Sequence, residues 1–122
     1  SKSNLDLNKT FKGIAASSGS SFVHETESQV ILNGSYNINF TMDLVEKDVG
    51  LFQNLASKLG IDLEISPLIL EIIKDAKDKF GSRAWSTMVV KRLEDKYNAN
   101  FRSPGYPEEL VDKEKKEIGY EI

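Results

Sequence analysis

The chain has 122 residues, room for one compact domain (residues 1–122) and too few for two. Its 39% apolar content supports a core, while 19 acids against 16 bases leave a formal charge of −3 and no basic half, which excludes nucleic acid as the expected partner. It has no cysteine, hence no disulfide, thiolate nucleophile or cysteine-ligated metal, and no apolar run near the roughly 20 residues of a membrane helix. The cysteine-free composition fits a reducing cytoplasm, the expected location.

Leu5, Leu7, Phe11 and Ile14 recur at helical spacing and predict a short helix, closed by the Ser17-Ser18-Gly19-Ser20-Ser21 turn. Phe22-Val23 and Val30-Ile31-Leu32 follow as two apolar runs around a polar stretch. Asn33-Gly34 before the alternating Tyr36, Ile38 and Phe40 is a hairpin signal, but a lone hairpin is marginal without a third strand. Residues 33–40 are therefore expected to be an extended loop.

The strongest periodicity predicts a helix over 41–59, with Leu44, Val45, Val49, Leu51, Phe52, Leu55, Ala56 and Leu59 on one broad buried face. Ser66-Pro67 opens a second strong helix that Gly81 ends. A third is expected from Ser82 to Tyr97, burying Trp85, Met88, Val89 and Leu93. Asn98 to Tyr106 reads as a loop, and Pro107-Glu108-Glu109 as the start of a charged helix ending by Gly119, with Lys113, Lys115 and Lys116 late in it. The fold class is all-α, a single domain of about five helices.

Most chemical signatures are missing. The Gly19 region lacks the spacing of a dinucleotide loop, and the single histidine, His24, cannot build a multi-histidine metal site. His24 is expected to face solvent, as are Glu94-Asp95 and Glu108-Glu109. One position breaks the pattern: at about 100° per residue, Asp48 points into the arc of Leu44, Leu51, Leu55 and Leu59, with Lys47 at its edge. Two readings stay open. Asp48 holds a neighbouring loop while Lys47 pairs with Asp43, or Lys47 meets an anionic ligand at the domain's rim.

The stretch Phe40-Thr41-Met42-Asp43-Leu44-Val45-Glu46-Lys47-Asp48-Val49-Gly50-Leu51 resembles a signature of the β-hydroxyacid dehydrogenases, which include 3-hydroxyisobutyrate dehydrogenase and the semialdehyde reductases. Phe40, Lys47 and Asp48 match its Phe and, eight residues on, its Asp that follows a Lys. Asn4-Leu5-Asp6, Ser18-Gly19-Ser20-Ser21-Phe22, Leu32-Asn33-Gly34-Ser35-Tyr36, Leu59-Gly60 with Pro67, and Phe80-Gly81 with Trp85-Ser86 follow the family's order over roughly residues 4–95.

The resemblance implies a helical C-terminal domain like that of 6-phosphogluconate dehydrogenase, preceded in the whole protein by a Rossmann domain and a long interdomain helix. It implies NAD or NADP as cofactor, bound mainly by that Rossmann domain, a small hydroxy acid as substrate, and homodimerisation. Lys47 matches the cofactor-contacting lysine, and Phe40 and Asp48 match residues lining the cleft. The catalytic lysine of the family lies in a Gly-x-x-Gly-x-x-x-Lys-x-x-x-Asn setting that Lys9 and Lys12 lack, so no catalytic residue and no metal site is assigned here. By this reading the chain is inactive alone, and the missing initiator Met fits a processed chain or a segment of a longer one. The rival expectation is a free-standing helical interaction module.

Overall fold

A computed structural model describes residues 3–111, 113 and 119. Among them it has five α-helices, a 3-10 helix and no strand: α1 (Leu7–Ala15), α2 (Phe22–Asn33), α3 (Met42–Lys58), α4 (Ser66–Phe80), the 3-10 helix (Ser86–Val90) and α5 (Lys91–Tyr97). The all-α class is as expected; the helix inventory differs in three places.

Residues 22–33 form one helix. Ser21 caps it by accepting the His24 N–H at 3.0 Å, Gly34 closes it at φ +96°, and Thr26, Val30 and Leu32 are buried. The apolar runs at its two ends belong to one helix, whose buried face runs through the polar Thr26. Thr26 is tolerated because its hydroxyl donates to the Phe22 carbonyl at 2.7 Å.

The helix expected over 82–97 starts late. Gly81 (φ +96°) ends α4, and residues 82–85 then form a turn that brings Trp85 beside Thr41 at the start of α3. The Met42 and Asp43 N–H groups donate to the Ala84 and Ser82 carbonyls at 2.8 and 3.0 Å, and the Ser86 N–H donates to the Phe40 carbonyl at 2.9 Å. The first two bonds satisfy first-turn donors of α3 that a helix cannot satisfy internally. The cost is that Ser82 to Trp85 cannot themselves be helical.

The charged helix expected from Pro107 does not begin there. Residues 107–111 are non-helical; Glu109 bridges Asn37, and the Leu110 N–H donates to the Asn37 carbonyl at 3.1 Å. Pro107-Glu108-Glu109 is a helix-start signal with no apolar face behind it, and backbone pairing with the 34–41 loop prevails. Apart from Lys113 and Gly119, the rest of that expected helix lies outside the described residues.

The α3–α4 pair holds the main core, in which Met42, Ile73 and Ala76 are buried and Val45, Phe80, Met88 and Val89 pack against them. An ion pair from Lys77 to Glu46 also ties the two helices together. Val30 and Leu32 of α2 and Tyr36 and Ile38 of the 34–41 loop are buried as well. That loop is non-helical, as expected, with Tyr36 and Asn39 both at positive φ (57° and 55°). Tyr36 is buried, so its packing can hold it in a region that most side chains avoid, whereas the exposed Asn39 is of a type that enters that region readily.

Candidate functional site

Phe40, Lys47 and Asp48 lie in and just before the first two turns of α3. Phe40 is 37% exposed, and its backbone carbonyl is held by Ser86. Lys47 Nζ lies 3.1 Å from Asp48 Oδ1, and both side chains are more than half exposed. Lys47 therefore does not pair with Asp43. That carboxylate instead accepts from the Thr41 hydroxyl and from Arg83 Nη1 at 3.2 Å, and the Thr41 bond, with help from Arg83, lowers its pKa.

Asp48 does lie among leucines, but on a face this chain leaves open. Leu51, Leu55 and Leu59 are 61, 57 and 65% exposed, whereas the buried side of α3 carries Met42 and Ala56. The helix has two apolar faces, and periodicity alone could not say which one α4 covers. The small side chain of Ala56 and the flexible one of Met42 let α4 come close; the leucine face points outward. Beside it, Asp48, Val49, Phe52, Ile65, Ser66 and Ile69 line a shallow groove of about 400 Å³. The Ser66 hydroxyl there is buried without a hydrogen-bond partner.

The uncovered surface is large. Leu51, Phe52, Leu55, Leu59, Ile61, Ile65 and Leu68 are each more than half exposed along α3, the 59–65 connection and the start of α4. Soluble monomers rarely expose apolar patches beyond a few hundred Å². Lys47 and Asp48 form the charged border at one end of it.

Sequence reasoning missed a second polar cluster. Glu94, expected in solvent, is 3% exposed. Its carboxylate accepts from the Tyr36 hydroxyl, from the Phe101 N–H at 2.8 Å and from Arg102 Nη1 at 2.7 Å. Burial pushes its pKa up, but these three bonds outweigh that and hold it below the usual carboxylate value. Burial and the Glu94 bond push the Tyr36 phenol up to about 12, against the opposing pull of Arg102. No periodicity marks this group, because its members come from a loop, a helix and the C-terminal segment.

His24 is also corrected. It is half-buried, with Nε2 3.0 Å from the Phe11 carbonyl and Nδ1 3.3 Å from the Ser28 hydroxyl, and its ring stacks on Phe11 at 4.9 Å. It docks the weakly buried α1 and offers no free base. Glu108 and Glu109 are exposed, as expected. Among the described residues no group of three or more His, Asp or Glu is arranged to hold a metal.

Fold and site together define an all-helical domain with an uncovered apolar face and a Lys-Asp pair at its border. The sequence model for the family described as NAD-binding of NADP-dependent 3-hydroxyisobutyrate dehydrogenase matches residues 1–93. The chain belongs to this family. No curated protein matches it.

Proposed function

We propose that this chain is the helical C-terminal domain of an NAD(P)-dependent 3-hydroxyacid dehydrogenase, closing one side of the active-site cleft. The observation that carries the reading is the exposed leucine face of α3, which begins at the Lys47–Asp48 pair. An apolar surface of this extent calls for a partner, and the resemblance supplies one: the interdomain helix and dinucleotide-binding domain of the same protein.

The residues present fit a contact with the cofactor rather than a complete site for it. The Lys47 ammonium has Asp48 as an ionic partner and is otherwise open, so it can meet a phosphate, a carboxylate or the polar edge of a dinucleotide. Asp48 holds that ammonium on the border side of the helix, and the half-exposed Phe40 ring supplies an apolar wall that excludes water. When bound, the nicotinamide carries the hydride; Lys47, Asp48 and Phe40 orient and shield. The proton-transferring lysine would come from the interdomain helix. The reading also includes a cytoplasmic homodimer.

The test joins this segment to the coding sequence that precedes it in its genome. The joined protein is assayed for NAD- and NADP-linked oxidation of a panel of short 3-hydroxy acids, and Lys47→Ala is expected to raise the KM for cofactor. A folded but silent protein would favour the alternative, a free-standing interaction module.

A further inference from the structure

The family match ends at residue 93, yet the chain continues across the domain in an ordered way. Asn98, at φ 45°, turns the chain out of α5, and the segment then runs back past the end of α2 and along the 34–41 loop. Its backbone is tied at three points. The Ser103 N–H donates to the Leu32 carbonyl at 3.0 Å, the Tyr106 carbonyl accepts from Asn33 Nδ2 at 3.0 Å, and Leu110 pairs with Asn37. The Tyr106 hydroxyl donates to Asn8 Oδ1 at 2.8 Å, which reaches α1 as well.

At the centre is Arg102. Its guanidinium sits over the Tyr36 ring, 5.2 Å from the centroid. Nη2 donates to the Tyr36 hydroxyl at 2.7 Å, and Nη1 donates to Glu94 and, at 3.2 Å, to the Ile31 carbonyl. It occupies space that only a glycine leaves free. A Cβ at Gly34 would overlap Arg102 Nε and lie 3.0 Å from its Cδ and Cζ. Tyr36 in turn accepts, through its backbone carbonyl, the Thr87 hydroxyl at 2.6 Å, so it joins Arg102 to the 3-10 helix. Ser86, next to Thr87, holds the Phe40 carbonyl.

We propose that residues 98–111 form a strap that sets the conformation of the 34–41 loop, and that Arg102 is its pin, a positioning residue acting through Tyr36 on Phe40. Phe40's part in a cleft rests on the function proposed above; the mechanical coupling does not. Segments that lie over a surface loop commonly make exposed contacts of little consequence. Here the contacts converge on a carboxylate that is 3% exposed, where each lost donor leaves a buried charge less satisfied.

The experiment is residue-resolved hydrogen exchange on the 122-residue chain, with the fluorescence of Trp85, its one tryptophan, as a second readout. Trp85 bridges Thr41, and the Ser86 N–H reports the bond to Phe40. Arg102→Met is expected to speed exchange at Ser86 and Leu110 together by about tenfold or more and to shift Trp85 emission, while the Ile73 amide in α4 changes little. Arg102→Lys, which keeps the charge but not the planar fork, is expected to fail as a rescue. If Arg102→Met does not fold, Asn33→Ala, which frees only the Tyr106 carbonyl, decides the question by the same readouts. Faster exchange confined to 98–111, or equal acceleration everywhere including Ile73, overturns the proposal. No cofactor enters the measurement, so a silent dehydrogenase assay and a failed strap are separate results.

Discussion

Gly34→Ala tests the packing argument most directly, because the substitution adds one methyl group with two calculable consequences. Gly34 sits at φ +96°, where an alanine pays roughly 1–2 kcal/mol for its Cβ. The new Cβ also overlaps Arg102, so the guanidinium must leave the notch. Glu94 would keep the Tyr36 hydroxyl and the Phe101 N–H but lose its cationic partner. A charge-assisted bond of this kind contributes about 1.5–3 kcal/mol, and the 37% exposure of the Arg102 side chain argues for the lower half of that range. The expected total is about 3–4 kcal/mol, a large share of the 5–15 kcal/mol typical of a domain. The assay is equilibrium urea unfolding followed by circular dichroism, run as a cycle with Arg102→Met. In the Arg102→Met background Gly34→Ala should cost only the backbone part, about 1–2 kcal/mol, giving a coupling of about 2 kcal/mol. Additivity within about 0.5 kcal/mol would refute the claim that Gly34 exists to seat Arg102.

Further expectations concern pH, the core and the open face. The folded pKa of Glu94 lies below its unfolded value of 4.5, so its contribution is complete above that pH and is lost as pH falls through the folded value. Urea midpoints from pH 7 to pH 3 should therefore fall more steeply for the wild type than for Glu94→Gln. Tyr36 has the opposite sign. Its pKa is raised from 10.0 to about 12, so the stability it contributes is present below 10 and lost as pH rises through about 12. An absorbance titration should show a phenol ionising at about 12 that disappears in Tyr36→Phe. Met42→Ala, at a fully buried position, should cost about 2–5 kcal/mol in the same unfolding assay. Leu55→Glu should change the stability of the chain by no more than about 0.5 kcal/mol, because the side chain is already 57% exposed, and should reduce binding of an apolar dye. An unstable Leu55→Glu chain would show that the leucine face is covered from within.

Local chemistry alone was enough to read α1, α3 and α4, the non-helical stretch after Asn33 and the all-helical class. Ser66-Pro67, Gly60 and Gly81, and the 3.6-residue apolar rhythm act over a few neighbouring residues and need no partner to be legible. The Phe40–Lys47–Asp48 spacing was legible for the same reason, and with it the family. Long-range pairing decided the rest. Residues 82–85 stay out of a helix because α3's first N–H groups need their carbonyls as acceptors. Residues 107–111 stay non-helical because the 34–41 loop offers a backbone partner. Which apolar face of α3 is buried depends on the side from which α4 approaches, and Glu94 changes from a surface acid into a buried anchor only when Tyr36 and Arg102 arrive from 58 residues before it and eight after. A sequence carries the hydropathy of each side chain, whereas the cost of burying a charge is set by its partners, and those are known only once the chain has folded.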